Sequence, residues 1–303
     1  MTEKQVQESG YHSGYAALIG RPNVGKSTLL NHILGQKLSI TSRRPQTTRR
    51  QLLGINTTKK GQTVYVDTPG FQTSTPTVFN RYMNREIGNA LASIDVVVQV
   101  IAAMQWSRMD EAVYRLAMES SAPIILAINK IDLVKNRKSL LPFIEELQRE
   151  HAFHHIVPIS AKRRENIADL EEEIRLALPE GEPVFPGDQV TDKSERFFAA
   201  EFIREKLTRR LGEELPYNLS VTIDEFREEP GLLRINATVW VASPGQKAIV
   251  IGKDGAVLKS VGEKARKEME KMFGKKVFLR TWVKVKRKWM DDAGALRQLG
   301  YDY

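Results

Sequence analysis

Hydrophobic and polar positions fall into two successive patterns along the chain. The first half carries short, nearly unbroken apolar runs: Tyr15-Ala16-Ala17-Leu18-Ile19, Thr63-Val64-Tyr65-Val66, Val96 to Ala102 and Ile124-Ile125-Leu126-Ala127-Ile128. Runs of this length without strict alternation predict strands covered on both faces, as in a parallel sheet. Between them, helices are expected around residues 28–34, 81–93 and 110–120, and further strands at 51–56 and 155–159. Strand alternating with helix predicts a doubly wound, mainly parallel α/β domain over residues 14–178, with its ligand at the carboxyl ends of the strands.

The second pattern begins after Leu178. The stretch from Pro179 to Asp188 is dense in Pro and Gly, holds no periodicity and marks a linker, 179–193. A helix over about 194–211 places Phe198, Phe202, Ile203, Leu207 and Leu211 on one face. Two strands then alternate cleanly, through Leu219, Val221 and Ile223 and through Leu233, Ile235, Ala237, Val239 and Val241, around the turn Glu229-Pro230-Gly231. A short helical segment ends at Ile251, before Gly252-Lys253-Asp254-Gly255 and a long helix from Ala256 to about Phe273, with Val257, Val261, Ala265 and Met269 on its apolar face. A last strand alternates through Val277, Leu279, Thr281, Val283 and Val285. Helix, strand, strand, helix, GxxG, helix, strand is the order of a prokaryotic-type KH domain, so residues 194–303 are expected to form a smaller α+β domain. The polar residues 1–13 are expected to be disordered.

Composition narrows the setting. With no cysteine there is no disulfide and no thiolate metal site. The longest apolar stretch, Val96 to Met104, is interrupted by Gln99 and too short to span a bilayer, and the first ten residues lack a signal-peptide core. A cytoplasmic protein is the expectation. The formal charge is +9. Between Gly245 and Met290 stand fourteen Lys or Arg against four Asp or Glu, an excess larger than that of the whole chain, so an anionic partner is expected to meet the C-terminal part.

Chemistry enters at Gly20-Arg21-Pro22-Asn23-Val24-Gly25-Lys26-Ser27, which reads GxxxxGKS between a predicted strand and the helix opening at Thr28. That is the context of a phosphate-binding loop: backbone N–H groups turn inward, Lys26 reaches the β- and γ-phosphates, and Ser27 offers a hydroxyl to Mg²⁺. The polar, basic stretch 42–50 follows; Thr48 is the first choice for a Mg²⁺ and γ-phosphate ligand and Thr47 the second. Asp67-Thr68-Pro69-Gly70 ends the next strand, placing Asp67 to hold Mg²⁺ through water and the Gly70 amide to meet the γ-phosphate. Asn129-Lys130-Ile131-Asp132 is an NKxD signature, in which the Asp132 carboxylate accepts from N1–H and the 2-amino group of guanine, a pair that adenine lacks. Ser160-Ala161-Lys162 then backs the base, with the Ala161 N–H toward O6. Lys26, Thr48 and Gly70 are therefore the expected catalytic positions. His151, His154 and His155 lack carboxylate or cysteine at ligand spacing and read as surface or edge residues.

Five ordered elements of this kind resemble the translation-factor-like GTPases. One departure stands out: Phe71 follows Gly70, where Ras-like proteins carry the Gln that orients the attacking water. Intrinsic hydrolysis is expected to be slow, the water being placed by backbone groups, a partner, or a monovalent cation near Asn23. In the second half, GxxG lets a single-stranded nucleic acid approach the backbone; Lys253 stands nearest the phosphates, Asp254 lies within the loop, and Gln246, Lys247, Lys259 and Arg266 are weaker candidates. Lys284, Lys286 and Lys288 read equally as a solvated strand face.

GRPNVGKS, QTT, DTPG, NKID and SAK, followed by a linker and IGKDG, closely resemble the bacterial Era family over nearly the whole chain. The resemblance implies GTP or GDP with Mg²⁺, binding to the 3′ region of 16S ribosomal RNA and to the assembling 30S subunit, peripheral association with the inner membrane, and a monomer. Two other readings predict different behaviour: a switch whose second domain docks a protein or membrane surface, and an ATP-dependent phosphotransferase.

Overall fold

A computed structural model of the chain describes residues 10–41, 48–71, 78–211 and 219–301. These fall into two compact units, one from residues 10–39, 51–71 and 86–192, the other from residues 40–50, 72–85 and 193–301 as far as they are described.

The first unit is built on a six-stranded sheet of β1 (His12–Ile19), β2 (Leu52–Thr57), β3 (Gly61–Asp67), β4 (Val96–Ala102), β5 (Ile124–Asn129) and β6 (His155–Pro158). Its order is β2-β3-β1-β4-β5-β6, with only β2 antiparallel to its neighbour. The central strands β4 and β5 are buried at every position, which is why they read as unbroken apolar runs rather than alternating ones. Helices α1 (Lys26–Ile33), α3 (Arg108–Met118) and α4 (Leu140–Glu150) connect strands, and α5 (Ile167–Ala177) follows β6. Ala17, Ile19 and Val97 of the sheet pack with Ile87, Leu91, Val113 and Ala117, and Phe71 joins this core. Residues 179–192 run along the sheet: the Ser13 amide donates to Pro179 O, the Gly181 amide to Tyr11 O, and the Ile55 amide to Val190 O.

The second unit packs α6 (Glu195–Arg210), α7 (Pro244–Ile251) and α8 (Ala256–Phe273) on one face of a three-stranded sheet, β7 (Leu219–Glu229), β8 (Leu232–Val241) and β9 (Lys276–Val285). β7 and β8 form a hairpin, and β9 adds parallel to β8 as the edge. The alternation expected from the sequence holds, with Leu233, Ile235, Ala237, Val239 and Val241 all buried. Past β9 the chain makes a turn at Trp289–Asp291 and a helix, α9 (Ala293–Gln298), neither of which the basic run 284–288 foretells. The first residues of α2 (Val78–Leu91) belong to this unit. Phe79, Tyr82, Trp289 and Tyr301 form an aromatic cluster with ring centroids 5.2–6.3 Å apart. Arg49 and Arg50 lie over the Phe79 and Tyr301 rings and donate to the carbonyls of Leu219 and Leu299, both at 2.6 Å. Burial alone would raise the pKa of Tyr301, but the guanidinium groups of Arg49, Arg50 and Arg204 outweigh it and hold the phenol below its ordinary value.

Candidate nucleotide site and RNA groove

Gly20 to Ser27 connects β1 to α1, and the loop closes on its own lysine. Lys26 Nζ donates to Gly20 O at 2.8 Å and to Arg21 O at 3.2 Å, in a setting only 6 % exposed. Burial pushes its pKa down from 10.5 to about 8, opposed by Asp67. A cation this poorly solvated has strong need of an anion. Gly25 caps α1 at φ 110°, and a Cβ there would lie 2.2 Å from Asn129 Nδ2, so the position excludes any side chain. Asn129, the last residue of β5, donates to Val24 O at 2.7 Å, tying the base-reading motif to the phosphate loop. Lys130 Nζ donates to Asn23 O at 2.6 Å, and burial, aided by the Arg21 charge, lowers its pKa.

Asp67 ends β3 beside α1. Its Oδ2 accepts from Ser39 Oγ at 2.6 Å and lies 3.4 Å from Ser27 Oγ. A carboxylate and hydroxyls at the amino end of a helix form the hard oxygen set that Mg²⁺ requires, so these residues fit the ion. Thr68 Oγ1 donates to Leu18 O, and the Gly70 backbone lies against Pro22. At the other end of the edge, Ser160 Oγ donates to Asp132 Oδ1 at 2.6 Å, holding the carboxylate in place. The Ala161 amide, expected toward guanine O6, donates to Asn129 Oδ1 at 2.9 Å, and that same oxygen accepts from the Lys130 amide at 2.7 Å. Lys162 is exposed beside it.

Thr48 groups with the second unit, and Thr47 lies outside the described residues. Phe71 packs, partly buried, against the apolar core and carries no polar atom, so its side chain cannot orient a water. Reading His151 as a surface or edge residue needs correction: its side chain is 7 % exposed, packed among Trp106, Tyr114 and Phe153, with Nε2 2.9 Å from a Glu111 carboxylate oxygen. The sequence also hid several supports. Asn31 holds the Leu38 and Ser39 amides and the Ser39 carbonyl, fixing the hydroxyl that meets Asp67. Arg21 reaches the buried Asp110, which belongs to a capping box with Ser107 at the start of α3. No motif spacing signals the Arg21–Asp110 pair, which joins residues far apart in the chain, and the Asn31 contacts reach into an irregular loop with no periodicity of its own.

In the second unit, Gly255, Leu258, Lys259, Gly262, Glu263, Arg266, Leu279 and Thr281 line an open groove of about 410 Å³ between α8 and the edge strand β9. Of the expected RNA contacts, Gly255, Lys259 and Arg266 therefore meet at one place. Lys253 and Asp254 are exposed in the loop between α7 and α8. Arg266 is paired with Glu270 at 2.8 Å. The Gln246 side chain accepts from the Ala242 amide at 2.8 Å, which engages it at the start of α7. Lys247 stands on α7 outside the groove lining.

A phosphate loop, an acidic strand end and NKxD aligned on one edge of a doubly wound sheet define a P-loop GTPase, here followed by a KH fold. Comparison with known proteins agrees in both halves. The model of the 50S ribosome-binding GTPase family matches residues 15–130, and the KH domain model residues 214–290. GTPase Era of Coxiella burnetii is 53 % identical over 291 residues, covering 96 % of this chain and 98 % of its own length. GTPase Era of Pseudomonas aeruginosa is 50 % identical over 293 residues, covering 97 % and 96 %. The chain belongs to the Era family of GTPases. Crystal structures of Aquifex aeolicus Era bound to GDP and tetrafluoroaluminate, and of an Era in complex with MgGDPNP and nucleotides 1506–1542 of 16S ribosomal RNA, superpose with a TM-score of 0.94 each. They are 39 % and 38 % identical, covering 96 % and 97 % of this chain and all of their own.

Proposed function

We propose that this protein is a GTP-hydrolysing switch that binds unpaired RNA in the 3′ region of small-subunit ribosomal RNA and serves assembly of the 30S subunit in the cytoplasm. The observation that carries the nucleotide half is Lys26, buried, charged and turned onto the carbonyls of its own loop. A triphosphate would replace those carbonyls as its partner. Ser27 and Asp67 would hold Mg²⁺, which supplies charge neutralisation at the β- and γ-oxygens. Thr48 or Thr47 and the Gly70 amide respond to the γ-phosphate, and Asp132 selects guanine. With the apolar Phe71 in place of a polar side chain, hydrolysis is slow until backbone groups, a partner or a monovalent cation near Asn23 positions the water.

The RNA half rests on the groove beside Gly255 and on similarity to a relative crystallised with 16S nucleotides. Filter binding of an unpaired RNA oligonucleotide covering that 3′ segment, with Mg·GDPNP and at several salt concentrations, tests both halves. Wild type should bind with a steep negative salt slope. Gly255→Asp should lose RNA but keep GTP. Asp132→Asn should lose GTP affinity by on the order of 100-fold, since two hydrogen bonds to a charged acceptor are lost. Competition by ATP as effective as that by GTP would refute the guanine assignment.

A further inference from the structure

The edge strand β9 presents a second face. Leu279 and Thr281 line the groove on the helix side, and the intervening residues Phe278, Arg280, Trp282 and Lys284 point to the opposite side of the sheet. Phe278 and Trp282 are 42 % and 41 % exposed, the two exposed Phe or Trp side chains among the described residues. Each lies beneath a cation: the Arg234 guanidinium carbon sits 4.9 Å from the Phe278 ring centre and that of Arg280 5.6 Å from the Trp282 ring centre. The main core of the unit lies on the helix side; on the outer face the C-terminal aromatic cluster packs against Trp240, while Phe278 and Trp282 remain exposed.

We propose that this outer sheet face is a stacking platform for unpaired bases of the same RNA, continuing the strand that leaves the groove around the edge of β9. The proposal rests on the groove's reading as an RNA site. Three features point to nucleic acid rather than another occupant. β9 carries Lys276, Arg280 and Lys284 on this face and no acidic residue at all, so its charge complements a phosphate backbone. The carboxylates of the face stand on β7: Glu229 takes Arg234, Glu225 takes Asn236 and Asp224 takes Thr238. They confine the positive strip to the edge. Flat rings under guanidinium groups are laid out for stacking and cation–π contact with bases, whereas insertion into a lipid headgroup layer needs apolar side chains that project several ångströms beyond their surroundings. Four residues of strand separate the rings by about 13 Å, far more than the roughly 3.4 Å between stacked neighbours in a duplex strand. The platform therefore suits splayed bases of a single strand, in the manner of sheet-borne aromatics in other RNA readers.

The test compares two RNA oligonucleotides on the full chain with Mg·GDPNP: a segment of about four nucleotides, enough for a GxxG groove, and the same segment extended by about ten. The extended RNA should bind wild type more tightly. Phe278→Leu with Trp282→Leu should weaken the extended RNA by about 10- to 100-fold and leave the short one unchanged, whereas Phe278→Tyr with Trp282→Phe should retain both affinities. Unchanged binding of the extended RNA by the leucine variant, or equal loss for both RNAs, overturns the platform. Vesicles containing phosphatidylglycerol that bind wild type and not the leucine variant, with RNA binding unaltered, overturn it in favour of a membrane face. If wild type binds neither RNA, the groove reading itself has failed, a result distinct from these.

Discussion

At the residue scale, Lys26 decides how the empty site behaves with pH. Its folded pKa of about 8 lies below the unfolded value of 10.5, so the unfolded chain holds more protons between the two. On this group's account the empty protein is least stable below pH 8 and gains stability as pH rises toward 10.5. A bound triphosphate reverses the preference, because its anionic oxygens favour the charged amine. Binding should then take up a proton once pH exceeds about 8, and affinity should fall by up to about tenfold per pH unit. Titration calorimetry in buffers of differing ionisation enthalpy reads the proton directly; a proton count of zero at pH 8.5, or a count that survives Lys26→Met, would rule out this assignment.

At the scale of elements, the two glycines of GxxG are not equivalent. Gly252 sits at φ 73°, ψ 173°, and a Cβ there would come 2.4 Å from Val257 Cγ2 and 3.0 Å from the Val257 amide nitrogen. Gly255 sits at φ 76°, ψ 8°, with open space around its would-be Cβ. Gly252→Ala should destabilise the protein by about 1–3 kcal/mol, through strain and a clash at the start of α8. Gly255→Asn should cost about 1 kcal/mol or less, since Asn tolerates the left-handed region. Thermal melts separate the two, and equal destabilisation would refute the distinction.

The same scale shows what a sequence discloses. The buried strands were legible because parallel strands covered on both faces leave continuous apolar runs, and the phosphate, Asp67 and Asn129–Asp132 motifs because each lies within a few consecutive residues. Ser39 on Asp67, Asn31 on Ser39 and Arg21 on Asp110 were not, since each pairing exists only once the chain has folded. The rings of Phe278 and Trp282 were hidden differently: alternation identifies the strand through its inward Val277 and Val283, and the outward positions carry no signal of their own.

At the scale of the molecule, the question is how a third phosphate is felt at the RNA groove. Thr48 is one peptide bond from Arg49, and Arg49 is 2 % exposed, bonded to the first residue of β7 and stacked on Phe79 at the start of α2. At the far side of the undescribed residues 42–47, the Thr41 amide donates to buried Glu205 and Arg209 donates to the Thr41 carbonyl, both from α6. Both ends of the segment expected to answer the γ-phosphate are thus anchored to α6, β7 and the C-terminal cluster of the second unit. A displacement of Thr48 by nucleotide would be resisted or transmitted there, so GTP and RNA binding should be coupled. Linkage then requires RNA to tighten Mg·GDPNP by the same factor that Mg·GDPNP tightens RNA, with typical couplings of about 5- to 150-fold. Arg209→Ala removes a half-exposed guanidinium outside the nucleotide edge and the groove, loosening the Thr41 anchor. It should reduce both factors equally while each ligand alone binds with nearly unchanged affinity. Fluorescent GDPNP titrated with and without saturating RNA gives one factor, and RNA titrated with and without GDPNP the other. Factors of one in wild type would mean that the two halves act independently, and a loss in Arg209→Ala confined to one ligand alone would place that residue in a binding site rather than in the coupling between sites.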